Sequence, residues 1–224
     1  MAGGLPIGEA HIAALGACFG CDAETARGIA IHARHDHHPT RAAILRVGEQ
    51  CDDGWVMLVG EAHACVCSAA GQLVLIHRFA ASDLFGPATG LPAASQEAEI
   101  VAVQPSDVGR FRGIDFIQLT ERHACVANAV TRALIRRLRE TTMRMVEAST
   151  LSANGRVHAE LLRQAGDAHA IRPAPVLAEL AMVVQSTRET VSRAINALER
   201  AGIIRRTPEE LTIVAPHRLE ELVY

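Results

Sequence analysis

Lysine is missing from this chain: all 22 basic residues are arginine, which is read as a mark of genome composition and not of function. Positive charge is not in excess either. The formal net charge is −3, so the sequence as a whole does not advertise a polyanionic partner. No apolar run approaches the roughly 20 residues that span a bilayer, so no membrane segment is expected. The first residues have neither a basic stretch nor an apolar one, so no signal peptide is read and a cytoplasmic location is expected. Glycine-rich phosphate loops, a nucleophile elbow and a His-Glu-x-x-His zinc motif are all absent. His123 and Cys125 lie two apart and point to different sides of a helix. Catalysis is therefore not expected, and no catalytic residue is assigned.

What is present is a chain of 224 residues, 49% hydrophobic and 21% charged, long enough for one large or two small globular domains. The six cysteines (Cys18, Cys21, Cys51, Cys65, Cys67 and Cys125) are expected to be free thiols. Residues 11–33 have helical spacing, with Ile12, Leu15 and Phe19 on one face and Asp22 as the N-cap of a second helix, three residues before Thr25. From about 41 to 104, short apolar runs alternate with glycines: Ala43-Ile-Leu, Trp55-Val-Met-Leu-Val, Ala64-Cys-Val-Cys, Leu73-Val-Leu-Ile and Glu99-Ile-Val-Ala-Val. That texture predicts a β-sandwich or roll, with a turn-rich break at Leu84-Phe-Gly-Pro. From about Gln118 to Thr150 glycine and proline vanish, and Val126, Val130, Leu134, Leu138 and Met145 recur at helical spacing, with Thr141 on the same stripe. One helix of about 30 residues would reach about 45 Å, which suggests a dimer seam.

The C-terminal third is the most informative. Val176 to Ile204 reads as two short helices joined by a tight turn. The second carries Arg188, Glu189, Ser192 and Arg193 on one side and Val191, Ile195 and Leu198 on the other. Such a helix suits the DNA major groove: arginine grips guanine O6 and N7, and glutamate accepts from cytosine N4. Gly202 ends this helix. Ile203 to Val214 reads as a hairpin wing that brings Arg205 and Arg206 near phosphates. Between Leu151 and the C-terminus nine arginines balance nine acidic residues, so DNA contact must rest on local placement.

This order resembles the cyclic-AMP receptor protein / fumarate–nitrate reductase regulator family over nearly the whole chain. The resemblance is carried by Ser186-Thr-Arg-Glu-Thr-Val-Ser-Arg-Ala-Ile-Asn-Ala-Leu-Glu-Arg-Ala-Gly-Ile-Ile204, by Arg136 to Leu162, and more weakly by Val47-Gly-Glu49 and Leu84-Phe-Gly86. It implies an α+β chain: an N-terminal β-roll of the cyclic-nucleotide-binding, jelly-roll kind at 1–118, a dimerisation helix at 119–150 and a winged helix-turn-helix at 151–224. It also implies a homodimer that binds double-stranded DNA with TGA-containing half-sites, regulates transcription and contacts RNA polymerase. The implied DNA-binding residues are Thr187, Arg188, Glu189, Ser192, Arg193, Arg205 and Arg206. The alternative is a β-roll ligand-sensing or oligomerising protein whose helix-turn-helix no longer binds DNA.

The sequence departs from the family at the turn, where Gln185 replaces a frequent glycine, and in the sensor. The ribose-binding Gly-Glu pair becomes Gly86-Pro87. The phosphate-binding Arg-Ser pair gives way to Ser95-Gln-Glu-Ala-Glu99, which offers two carboxylates and no arginine. Thr141 and Thr142 match the adenine-contacting pair, so Gly86, Thr141 and Thr142 are the candidate effector contacts. The sensor is expected to be degenerate, with an effector and cofactor that the sequence does not name. His32-Ala-Arg-His-Asp-His-His38 offers imidazoles for a metal or haem, but is read as a solvated polar loop, and no metal ligand is assigned. Cys18-Phe-Gly-Cys21 has the spacing of a metal or redox pair but too few partners for an iron–sulfur cluster, so these thiols are read as small buried hydrophobes.

Overall fold

A computed structural model describes residues 5–68, 71, 73–86 and 94–223; Pro87 therefore lies outside the described residues. The chain forms two compact units. One takes in residues up to 66 together with 75–139, and the other takes in 67–74 together with 140 onward.

The N-terminal unit begins with β1 (Leu5–Pro6), a 3-10 turn (Glu9–His11), α1 (Ile12–Phe19) and α2 (Ala23–Ala30). The Asp22 carboxylate accepts from the Thr25 N–H at 2.8 Å, so α2 is capped as its sequence predicts. A five-stranded sheet runs in the order β1, β2 (Ala33–His38), β11 (Ser106–Phe111), β5 (Gly54–Val59) and β8 (Leu84–Phe85). A second sheet runs β3 (Ala43–Leu45), β10 (Glu99–Ala102), β6 (Glu61–Cys67) and β7 (Leu73–Ala80), while β4 (Gln50–Cys51) pairs with β9 (Ala94–Ser95). Every pairing with a resolved register is antiparallel.

Alternation along β5 divides the unit into two cores. Trp55 and Met57 point into the roll, against Leu45, Phe79, Phe85, Ile100 and Val108. Val56 and Leu58 point the other way, into a helical layer made by Leu15, Phe19, Ile29, Phe116 and Val126.

Two expectations need correction here. The histidine segment is not a polar loop: residues 33–38 form β2, bonded to β11 from Ala33↔Phe111 to His38↔Ser106. Its polar residues hid a strand whose apolar support comes from tertiary neighbours. The helix over 118–150 is also not continuous. α3 (Gly113–Arg122) stops at His123, whose backbone is extended, and α4 (Ala124–Thr150) restarts after it. Leu119 belongs to the first helix and Val126 to the second, and both are buried in one core, which the break allows. The apolar stripe of α4 divides accordingly. Val126 and Val130 turn inward, while Leu134 is 58% exposed, Leu138 69% and Met145 66%.

The C-terminal unit contains α5 (Ala153–Ala165), β12 (Ala170–Ile171), α6 (Leu177–Val183), α7 (Arg188–Arg200), β13 (Ile204–Arg206), β14 (Leu211–Ile213) and α8 (Pro216–Glu221). Ser152 caps α5 by accepting from the Gly155 N–H at 3.0 Å. A three-stranded sheet, β12-β14-β13, closes one side, with the β13–β14 hairpin as the wing. Val157, Leu161, Leu180, Val191, Ile195, Leu198, Ile204, Leu211 and Leu219 form a single core that joins every helix of this unit from α5 to α8. Among the described residues, no helix is long and apolar enough to cross a membrane.

Candidate nucleic-acid interface

The geometry of the α7 surface follows from its buried side. Val191, Ala194, Ile195 and Leu198 occupy positions i, i+3, i+4 and i+7, and all are buried. Arg188, Glu189 and Arg193 are exposed on the remaining surface, as are Asn196 and Arg200, while Ser192 is half-buried. Arg193 and Glu189, one turn apart, approach to 3.9 Å but stay largely in water. A pair so solvated contributes little to stability, so both groups remain available to an incoming partner. Thr190, Arg193, Asn196 and Arg200 line an open surface depression beside Asn154 of α5.

The start of α7 is fixed by Thr187, whose Oγ1 accepts from the Thr190 N–H at 3.1 Å as the N-cap. In front of it, Gln185 adopts the left-handed conformation, with φ 52°. Glutamine thus occupies a backbone region that favours glycine. Arg156 of α5 spans this turn. Its guanidinium donates to the carbonyls of Val184 at 2.8 Å, Gln185 at 3.2 Å and Leu151 at 3.1 Å. Three carbonyls that water would otherwise have to serve are thus held by one planar donor.

On the wing, Gly202 turns the chain out of α7 at φ 67°. Arg205 and Arg206 are both exposed on β13. Arg206 reaches back toward α7, with its Nη2 3.5 Å from Asn196 Oδ1 and 3.5 Å from Glu199 Oε2. Sequence reasoning singled out Arg206 but not the α7 residues that hold it. It also missed Arg156, because a residue that supports a turn from a neighbouring helix has no local spacing to betray it.

Residues 155–222 match the Crp-like helix-turn-helix domain family. The "Cyclic AMP receptor protein" of Thermus thermophilus is 32% identical over 146 residues, covering 63% of this chain and 66% of that relative. Residues 155–222 thus belong to the Crp-like helix-turn-helix family, and the similarity to a cyclic-AMP receptor protein extends beyond them. A second relative, the "cAMP-activated global transcriptional regulator CRP" of Pasteurella multocida, is 24% identical over 181 residues, covering 77% of this chain and 86% of its own. The fold is shared with the c-di-GMP responsive global regulator CLP of Xanthomonas campestris, at a TM-score of 0.75 and 17% identity, over 86% of this chain and 99% of that one. The family is one of transcription regulators and not of enzymes.

The candidate effector residues have separate settings. Gly86 belongs to the N-terminal unit and has φ 90°; a Cβ there would lie 2.4 Å from Trp55 Cε3. Its identity is thus explained by packing against the indole. Thr141 and Thr142 are exposed on α4 in the C-terminal unit. In the 95–99 segment, Gln96 donates its side-chain N–H to the Ala98 carbonyl at 2.9 Å, and Glu97 is exposed. The cysteines of the N-terminal knuckle are held as thiols. Burial pushes Cys18 up to about 12, helped by the nearby Asp83. Burial also pushes Cys21 up to about 11, helped by contact with Cys125. Neither has the lowered pKa of a redox-active or metal-binding thiolate.

Proposed function

We propose that this chain regulates transcription as a homodimer that places α7 of each protomer in the major groove of a two-fold DNA site. The observation that carries this reading is the joint exposure of Arg188, Glu189 and Arg193 on the side of α7 opposite its buried apolar residues. Buried or inward-turned arginines would favour the alternative, a β-roll protein that no longer binds DNA. Arg188 and Arg193 donate to guanines, Glu189 accepts from cytosine, and Ser192 adds a shorter contact. Thr187 keeps its cap while contributing to DNA. A hydroxyl has one proton and two lone pairs, so its oxygen can accept from Thr190 N–H as its proton reaches a phosphate. Arg205 and Arg206 neutralise phosphates, with Arg206 held toward α7 by Asn196 and Glu199.

The exposed Leu134, Leu138 and Met145 on α4 support a dimer seam, since large apolar side chains in a row cost least when covered by a second copy. The parts then divide as sensor at 1–118, dimerisation helix at 119–150 and DNA-binding domain at 151–224. RNA polymerase is the partner expected of a family member bound at a promoter, and the cytoplasm is where both lie.

The sensor is degenerate. Although two relatives are named for cyclic AMP, Gln96, Glu97 and Glu99 stand where the family uses an arginine, so a cyclic phosphate would meet carboxylates instead of a bidentate cation. Thr141 and Thr142 could hold a base and Gly86 approach a ligand closely, without replacing that contact. The test of the DNA reading is Arg193→Ala, which should lose about 1–3 kcal/mol of discrimination at one base pair of the half-site. Equal affinity of variant and parent for the specific site would refute the assignment.

A further inference from the structure

The strand that sequence reading took for a loop presents its histidines to a carboxylate. β2 and β11 pair so that Ala33 faces Phe111, His35 faces Gly109 and His37 faces Asp107. Alternation puts Ala33, His35 and His37 on the face shared with Phe111, Gly109 and Asp107, the side covered by the helical layer. The apolar end of this row, Ala33 and Phe111, is buried in the helical-layer core. The polar end is not sealed. Ile7 and Leu58 pack over Gly109, and the His35 Nε2 reaches past it to Asp107 Oδ1 diagonally at 3.0 Å. His37 Nδ1 reaches the same oxygen at 2.8 Å.

A third imidazole arrives from a different element. The 3-10 turn places His11 over this end of the sheet, its ring stacked on His35 with centroids 5.0 Å apart. His11 is not held as a structural histidine would be. Its Nδ1 is buried with no hydrogen-bond partner among the described residues, and its Nε2 stands 4.0 Å from Asp107 Oδ2, too far for a hydrogen bond. Such a ring bears a desolvation cost that no described neighbour offsets.

We infer that His11, His35 and Asp107 form a binding site for a divalent first-row transition metal ion, with His37 steadying the carboxylate. One ligand atom from each of the three lies within 4.8 Å of the others. Tetrahedral ligands at about 2.0–2.1 Å from zinc sit about 3.3 Å apart, so a modest contraction closes the set. Two imidazoles and one carboxylate suit zinc, cobalt, nickel or ferrous iron better than the hard cations calcium and magnesium, which prefer all-oxygen shells. The ion takes the place of the proton that His35 Nε2 now shares with Asp107, and His35 then carries its proton on Nδ1. His37 continues to donate to the carboxylate, as outer groups do at metal sites. The side chains of His11, His35 and Asp107 are 19%, 21% and 24% exposed, enough for an ion to enter and a water to complete the shell. This site is independent of the DNA-binding reading.

The test uses the full chain, freed of metal, with cobalt(II) as spectroscopic probe and zinc(II) in competition against a chromophoric chelator. The parent should bind a single ion per chain with a visible cobalt ligand-field band. His11→Gln, His35→Ala and Asp107→Asn should each weaken binding at least about tenfold and remove or shift that band. His32→Ala, in the exposed turn before β2, should bind as the parent does. Each of the three ligands is required, so any one variant that keeps the parent's circular dichroism decides the matter. The inference fails if the parent binds neither ion at micromolar concentration, or if a folded His11→Gln, His35→Ala or Asp107→Asn variant binds like the parent.

Discussion

Arg156 and Gln185 are joined across the helix-turn-helix: the guanidinium of one donates at 3.2 Å to the carbonyl of the other, which stands in the left-handed conformation at φ 52°. Glutamine is strained there, and the arginine helps to hold it. Two opposite changes follow. Gln185→Gly should stabilise the C-terminal unit by about 1 kcal/mol by removing a Cβ from a left-handed residue. Arg156→Ala should destabilise it by about 2 kcal/mol, because three carbonyls lose a charged donor. Denaturant titration of the full chain, followed by circular dichroism, measures both. An unchanged midpoint for Arg156→Ala would show the clamp to be incidental.

The wing arginines should behave unlike those of α7. Arg205→Ala should weaken binding to specific and random DNA alike. It should also lower the slope of log affinity against log salt by about 0.9, the contribution of one phosphate. Arg206→Ala should do the same and also loosen Asn196 and Glu199 on α7. Fluorescence anisotropy at several salt concentrations separates these outcomes; a sequence-selective loss for Arg205→Ala would place that residue on a base.

Leu138 is the most exposed of the large apolar side chains on α4, and Leu134 lies one turn before it. Leu138→Asp should dissociate the dimer, since a carboxylate in an apolar seam loses its hydration without gaining a partner. Sedimentation velocity at micromolar concentration should show a dimer for the parent and a monomer for the variant. A monomeric parent would contradict the seam.

Cys18 should resist alkylation. Its thiol is raised from an ordinary 9.0 to about 12 by burial, with a smaller push from Asp83, so at pH 8 almost no thiolate exists in the folded chain. Iodoacetamide should label the exposed Cys67 first and reach Cys18 only on unfolding. The same shift sets a sign for stability. Between pH 9 and about 12 the unfolded chain gives up the Cys18 proton and the folded one does not, so this group's contribution is intact below pH 9 and is lost as pH rises through that window. Peptide mapping that finds Cys18 modified as fast as Cys67 at pH 8 would contradict the burial.

Much of the C-terminal unit was legible in the sequence because its signals are local. The apolar positions of α7 repeat at helical spacing, Thr187 stands where an N-cap must, and Gly202 marks the exit. Each of those features involves residues within a turn or two of one another, so backbone geometry alone relates them. The alternating runs of the β-roll were readable for the same reason at β3, β5, β6, β7 and β10, and so was the capped start of α2 at Asp22.

Tertiary structure decided what depends on residues distant in the chain. Nothing near His35 or His37 signals a strand, because their partner strand β11 starts some 70 residues later and supplies both the backbone bonds and Asp107. No spacing rule connects His11 to that pair, since only the packing of the 3-10 turn on the sheet brings it there. The inward turn of Val126 and Val130, against the exposure of Leu134 and Leu138 on one helical stripe, likewise reflects where the N-terminal core ends. Local periodicity determines which residues share a face, but what that face meets is set by contacts the chain makes with itself at long range.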